Sequence, residues 1–388
     1  MTEADEALDN FQQQARAWLA ETFPPLKDDH AAWGKTLGTK GWATPTWPSE
    51  YGGGGLSQIE AQVLAKEMAA IGAGNPLIYS TGMGITMVGP TILDYGTQDQ
   101  KQRHLPPICR GEVCWAVGYS EPNAGSDLAS LQMRAIDEGD RWVVNGQKTW
   151  TSGADHSDWC GALVRTDPDA PKRKGISFLI IDMKQAAVET RPIELISGAS
   201  PFCETFFNDA RAEKNDMLGE LNAGWSVGKR LLQHERASQT GAGMGGGGSR
   251  SSLPELAAKY VGLGDDGRLT DTDLRSRIAD NMMDGKALSL TGARIRAESR
   301  GKATVTAAAS IMKNASSSMQ QRRAELCLEI MGHSGLGWEE AGFTAEEVET
   351  VRGWLAGKAV SIYGGSYEIQ NNIISKNILG LPETTQRG

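Results

Sequence analysis

No run in this chain approaches the roughly 18 consecutive apolar residues of a membrane-spanning helix, so no helical span is expected. Basic clusters are scarce as well. With 39 Lys and Arg against 48 Asp and Glu the net charge is −9, which argues against binding nucleic acid or an anionic membrane surface. Cysteine is sparse and unpaired: Cys109, Cys114, Cys160, Cys203 and Cys327 are scattered, with no Cys-x-x-Cys. That pattern fits reduced, packed thiols better than a disulfide frame or a zinc site. His30, His104, His156, His234 and His333 show no metal-ligand spacing either, and no metal is expected. No Gly-Lys-Ser/Thr accompanies the glycine-rich stretch Gly52 to Gly55, which therefore reads as a turn whose backbone takes positive φ or approaches another surface closely. The first residues, Met1 to Glu6, are acidic, unlike a secretory or organellar leader, so a cytoplasmic location is expected.

What is present is ordinary soluble-protein composition, 39% hydrophobic and 22% charged, over 388 residues, more than one core usually serves. Leu8, Phe11, Ala15, Trp18 and Leu19 recur at helical spacing before Pro24-Pro25. Ile59, Val63, Leu64 and Met68 mark a second helix, and Pro90 to Gly96 a shorter one that gives way to an exposed stretch, Thr97 to His104. Near Cys114 the period changes. Arg141 to Asn145, Cys160 to Val164, Gly175 to Asp182 and Cys203 to Phe207 are short runs of strand-forming residues bounded by turns. From Gly224 the helical character returns, most clearly where Leu274, Ile278, Met282, Leu288 and Ile295 suit close helix packing. Helices, then strands, then helices predict an α+β chain rather than a βαβ alternation, divided as 1–113, 114–222 and 223–388.

Three stretches hold chemistry. Gly118 to Ser130 concentrates Ser hydroxyls with Glu121 and Asp127 after an apolar run; taken alone it is an ordinary strand connection. With it goes Asn145-Gly-Gln-Lys-Thr-Trp-Thr-Ser-Gly153, which by itself is a strand and a turn with a packed Trp. The second is Val360 to Gly380, a glycine turn at Gly364-Gly365 feeding a helix whose first N–H groups suit an anion. The third is Leu231-Leu-Gln-His-Glu-Arg-Ala-Ser238, where Glu235 beside Arg236 reads as a solvated surface pair until something else places it. Gly241, Gly243 and Gly245 to Gly248 follow, an unusual run for a helix, since each Gly costs up to about 1 kcal/mol relative to Ala.

Together these stretches resemble the signatures of the acyl-CoA dehydrogenase family, and the resemblance extends from about Trp42 to Pro382. It implies that family's fold: a helical N-terminal domain, a β-barrel-like middle domain and a C-terminal four-helix bundle. FAD is the implied cofactor, an acyl-CoA thioester the substrate and electron-transferring flavoprotein the acceptor. The resemblance sets Trp150 over the flavin, Ser152 near its N5, Tyr119 and Ser120 along the ring, and Ser126 at phosphate or substrate. Ser366, Glu368 and the segment Glu329 to Gly332 fall where the family meets the adenine half of a neighbouring subunit's flavin. Arg236 and Tyr363 fall on the substrate side. Where many members carry a catalytic Glu this chain has Gly364, whose N–H remains to polarise the thioester carbonyl, and Glu235 takes the position used as base by relatives acting on isovaleryl and long-chain thioesters.

A Glu at 235 with none at 364 is self-consistent, since two carboxylates in one dry pocket repel. The Gly-Gly variant most resembles the branch acting on dicarboxyl, branched or steroid side-chain thioesters, and the glycine run suits a bulky acyl group. An Arg-x-x-Phe-Gly that the family uses for the pyrophosphate is absent, Lys259 being the nearest basic residue. Rival readings are a non-catalytic subunit of a heterotetramer and an acyl-CoA oxidase-like flavoenzyme. Because flavin contacts are shared between subunits in this scheme, a homotetramer, homodimer or heterotetramer should hold FAD and a monomer should not. Light scattering of the flavin-loaded protein tests this, and a loaded monomer refutes it.

Overall fold

A computed structural model of the chain describes residues 3–241, 252–298 and 308–382. These divide into two compact units, Met1–Ile193 with Pro201–His234, and Glu194–Ser200 with Glu235–Gly388.

The first unit begins with helices α1 (Glu3–Thr22), α2 (His30–Thr39), α3 (Gln58–Ala70), α4 (Leu77–Ser80), α5 (Gly89–Tyr95) and α6 (Gln98–Arg110). The predicted stripe of α1 is borne out: Ala15 and Leu19 are buried with Trp33, Leu37, Leu64 and Met68, and Phe11 and Trp18 pack against them. On α3 the inward residues are Leu64 and Met68, whereas Ile59 is exposed. The glycine-rich stretch is a turn in which both expectations hold, because Gly52 has φ +89° and a Cβ on Gly53 would lie 2.3 Å from the Trp47 carbonyl oxygen.

One expectation holds only in part. Thr97 to His104 is exposed at Thr97, Gln98, Asp99, Gln102 and Arg103, but it is the start of α6, opened by a capping box in which Thr97 Oγ1 accepts from Gln100 N–H and the Gln100 side chain accepts from Thr97 N–H. Gln100, His104 and Leu105 are buried. Pro106 and Pro107 lie inside this helix and mask it in the sequence.

Seven strands follow: β1 (Trp115–Gly118), β2 (Arg134–Asp137), β3 (Arg141–Ser152), β4 (Trp159–Arg165), β5 (Ile176–Asp182), β6 (Val188–Ile193) and β7 (Phe202–Glu213). They form one sheet in the order β1-β4-β2-β3-β7-β6, with β5 on β4. The β1–β4 pair is parallel, while β2–β3, β3–β7, β4–β5 and β6–β7 are antiparallel. β4 and β5 are continuously apolar because both faces are covered. Ile176, Phe178 and Ile180 pack toward the helices with Trp47, Val88, Ile108 and Leu231, whereas Leu179 and Ile181 pack on the other face with Val144, Val164 and Phe207.

α7 (Gly224–Gly241) closes the first unit and opens the second, which continues with α8 (Leu253–Tyr260), α9 (Thr272–Glu298), α10 (Ala308–Met331), α11 (Ala345–Ala356) and α12 (Tyr367–Asn377). Its core joins Leu256, Leu274, Ile278, Leu326, Cys327 and Ile330. Leu274 and Ile278 pack as expected, but Met282 is exposed, together with Met283 and Leu290. Leu288 and Ile295 are half-buried, so the inward stripe of α9 weakens after its first turns. The five cysteines are free and buried, and no helix among the described residues is long and apolar enough to cross a membrane.

His104 is 2% exposed, with its ring set edge-on to Trp115 at 5.2 Å and Trp159 at 5.1 Å. Burial, reinforced by Arg103, holds its imidazole down at about 4. An unfolded histidine titrates near 6.5, so below that pH the unfolded chain gains a proton that the folded chain refuses until about pH 4. Stability from this site is complete above pH 6.5 and is lost as pH falls. Replacing His104 by Phe should lessen the fall in unfolding free energy between pH 7 and pH 5 by about 2 kcal/mol, read from urea melts of both proteins.

Candidate active site

In the first unit the loop from Gly118 to Ser130 is fastened to β3 by a buried ion pair. Lys148 is fully buried, and its Nζ lies 2.8 Å from Glu121 Oε1 and 3.1 Å from the Tyr119 carbonyl oxygen. Burial pushes the Lys148 ammonium below the usual lysine range, against the pull of Glu121. The Glu121 carboxylate also accepts from Gln132 N–H at 2.6 Å and Met133 N–H at 2.9 Å. One side chain thus ties the start of the loop to its end. Arg165 braces the far end by donating to the carbonyls of Ala129 and Leu131.

Thr149 N–H donates to the Ser120 carbonyl at 2.9 Å, and this contact sets the loop beside the end of β3. There the β3–β7 register shifts between Lys148 and Thr151. The extra residue is Trp150, held at φ +60°, a left-handed conformation that costs an L-residue about 1–2 kcal/mol. Its indole is 54% exposed and meets Phe202 edge-on at 6.1 Å, contrary to the packed Trp that the bare residues suggest. Ser152, two residues on, is half-buried, as is Ser120, while Ser126 is exposed. Tyr119 is buried and donates its hydroxyl to the Gly228 carbonyl at 3.1 Å.

In the second unit Gly364 (φ +66°) and Gly365 (φ +94°) form a left-handed turn ahead of α12. Its carbonyls are claimed by neighbouring helices: Gln370 Nε2 donates to the Gly364 oxygen at 2.7 Å and Lys313 Nζ to the Gly365 oxygen at 2.9 Å. A Cβ at Gly365 would lie 2.5 Å from Gln370 Nε2, so no larger residue fits without displacing that amide. Ser366 caps α12, its Oγ accepting from Ile369 N–H at 3.5 Å, and its hydroxyl lowers the exposed Glu368 carboxyl. Glu235, half-buried on α7, faces this turn electrostatically: burial and then the Glu235 carboxylate raise the Tyr363 hydroxyl above the usual range.

Glu329 is exposed on α10 and paired with Arg277, whose Nη1 lies 2.7 Å from Glu329 Oε2, and this bond lowers the Glu329 carboxyl. Gly332, at φ +55°, follows the end of that helix. Lys259 pairs with Glu346 at 3.2 Å. The Arg236 side chain, Gly243 and Gly245 to Gly248 lie outside the described residues. Tyr119, Ser120, Trp150 and Ser152 are therefore gathered in one unit, and Glu235, Tyr363, Gly364 and Ser366 in the other.

Sequence reasoning missed Lys148, Arg165, Lys313 and Gln370. Lys148 had a signal: it shares strand parity with the inward-facing Trp142 and Val144, and a charge at such a position needs a buried partner.

The chain thus runs through helices, a seven-stranded sheet and helices again, with a pinned loop in one unit and a fixed glycine turn in the other. Three family models match the chain: the acyl-CoA dehydrogenase N-terminal domain over residues 5–112, the middle domain over 116–210 and the C-terminal domain over 222–379. Acyl-CoA dehydrogenase IpdE1 of Mycolicibacterium smegmatis is 34% identical over 399 residues, covering 96% of this chain and 97% of that one. Among solved structures the Tcur3481-Tcur3483 steroid ACAD superposes with a TM-score of 0.77 at 29% identity, covering 98% of each chain. The ChsE4-ChsE5 complex of Mycobacterium tuberculosis gives a TM-score of 0.75 at 27% identity, covering 99% of each. The chain belongs to the acyl-CoA dehydrogenase family, FAD-dependent oxidoreductases that act on acyl-CoA.

Breaking the loop anchor has a calculable cost. Replacing Lys148 by Met strands the Glu121 carboxylate and should lower unfolding free energy by about 3–5 kcal/mol. Adding Glu121→Gln should recover part of that, because the unpaired charge is gone and the amide oxygen still accepts from one of the two N–H groups that the carboxylate oxygens take separately. Urea titration of the two variants and the parent measures both effects.

Proposed function

We propose that this chain dehydrogenates an acyl-CoA thioester to the trans-2-enoyl-CoA, with Glu235 as the base and FAD as the cofactor. The observation that carries the reading is that Glu235 and the Tyr363-Gly364-Gly365 turn, remote in sequence, lie in one unit, where burial and then the Glu235 carboxylate raise the Tyr363 hydroxyl. The α proton of a thioester is weakly acidic. Its removal needs a carboxylate in a partly dry setting and fixed donors for the developing enolate.

Glu235, half-buried, supplies the carboxylate. Gly364 supplies a backbone N–H on a turn whose carbonyls are already fixed, so that donor needs little reorganisation when charge develops. By the family resemblance alone, Tyr363 and Arg236 would serve the substrate.

The residues of the loop and β3 suit FAD. The indole of Trp150 is held outward at a strained φ of +60°, and among the described residues its aromatic neighbour is Phe202. Such strain is warranted where a flat ligand covers the indole. Trp150, Ser152, Ser120 and the backbone of Tyr119 would hold the ring and Ser126 the phosphate or substrate, with Glu329, Gly332, Ser366 and Glu368 serving the adenine half of a neighbour's cofactor. FAD held there would supply the acceptor for the β-hydride, with electron-transferring flavoprotein as the electron acceptor that the family resemblance implies.

For the substrate we favour a bulky or branched acyl group of the steroid side-chain kind, in keeping with a solved relative described as a steroid ACAD. For assembly we favour more than one subunit, either copies of this chain or a sister chain as in the ChsE4-ChsE5 complex. The exposed Met282, Met283 and Leu290 on α9 suit such burial.

Replacing Glu235 by Gln should leave FAD content and thioester binding near the parent's while lowering the dehydrogenation rate at least about 100-fold. An unchanged rate removes Glu235 from the reaction. Installing Glu at 364 should rescue poorly, because φ +66° strains any L side chain there.

A further inference from the structure

Lys313 is a buried cation of the second unit that the reaction above leaves without a task. It lies on α10, 8% exposed, and its Nζ donates to the Gly365 carbonyl at 2.9 Å and stands 6.0 Å from the Tyr367 ring centroid. Burial lowers its ammonium, and the Glu235 carboxylate draws it back up. A lysine kept at such depth needs compensation by hydrogen bonds and an opposite charge. Here the hydrogen bond goes to the turn that carries Gly364, and the opposite charge is Glu235.

The turn is held on two sides. Gln370, fully buried on α12, fixes the Gly364 carbonyl and Lys313 fixes the next one, so two successive peptide planes are set by side chains from different helices. On the approach, Tyr363 N–H donates to the Ala359 carbonyl at 3.1 Å. A diglycine segment left to itself samples many conformations. Held in this way it presents its N–H groups in one direction.

We infer that Lys313 is a positioning residue for the dehydrogenation, its ammonium fixing the Gly365 carbonyl so that the Gly364-Gly365 turn presents its N–H groups in one direction. This rests on the reading of the Gly364 N–H as a donor to the thioester carbonyl. With the Lys313 donor removed the turn is released, and the developing enolate loses a fixed donor, so turnover falls more than substrate binding does.

Three variants test the contact. Lys313→Gln and Lys313→Arg keep a donor for the Gly365 carbonyl, and Lys313→Met keeps none. The kcat and KM of enoyl-CoA formation are measured in each full-length protein, with FAD content and thermal melting recorded alongside. In Lys313→Met kcat should fall about tenfold while KM and FAD content stay near the parent's, and Lys313→Gln and Lys313→Arg should recover most of the loss. If Lys313→Met fails to fold, Lys313→Ser, too short to reach the carbonyl, takes its place. A parental kcat without the donor, or a loss that neither Lys313→Gln nor Lys313→Arg recovers, overturns the inference. The Glu235→Gln variant is measured in parallel: parental activity there removes the base itself, whereas an inactive Glu235→Gln beside a fully active Lys313→Met removes only the role of Lys313.

Discussion

The first unit is organised around one buried ion pair, Glu121 with Lys148. Two opposite charges leave water at a cost that only close geometry and full hydrogen bonding offset. Both conditions are met, since Lys148 has a carboxylate and a carbonyl and Glu121 has an ammonium and two backbone N–H groups. Because those N–H groups belong to the residues after the loop, the pair closes the loop on itself while pinning it to β3. The loop and the strand end that carries Trp150 and Ser152 are thereby one rigid piece. A salt bridge on the surface would hold neither, since solvent competes for both charges.

The second unit repeats the device with a different backbone. Lys313 reaches from a helix to a carbonyl of a glycine turn, and Gln370 does the same from the helix that follows. In each unit a buried cation restrains a backbone stretch rich in Gly or Ser that would otherwise be loose, and side chains outside the expected chemical groups set the conformation of those inside.

Much of this frame was legible from residue spacing. The three-part order of helices, strands and helices, the α1 stripe, the glycine turn at 52 to 55 and the runs of β4, β5 and β7 follow from periodicity and turn chemistry. β2 and β6 escaped because they are short and mostly exposed, with charged residues in Arg134–Asp137 and Val188–Ile193. The start of α6 escaped for the opposite reason: its polar face hides a buried Gln100 and His104, and prolines inside the helix signal a break that packing overrides. The outward turn of Met282 was hidden too, because a helical pattern gives an apolar face but not the length over which a neighbour covers it.

The amino-acid sequence by itself determined the family, the fold class and the residue types available for chemistry, because ordered motifs and periodic apolar positions are local properties of the chain. Only the tertiary structure decided that Glu121 serves as an anchor, that Trp150 points outward from a strained bulge, and that Lys313 rather than a nearer residue holds the Gly364-Gly365 turn. The physical reason is distance along the chain. Lys148 meets Glu121 across 27 positions and Lys313 meets Gly365 across 52. The cost of leaving a buried charge unpaired selects such partners only after the strands and helices have packed.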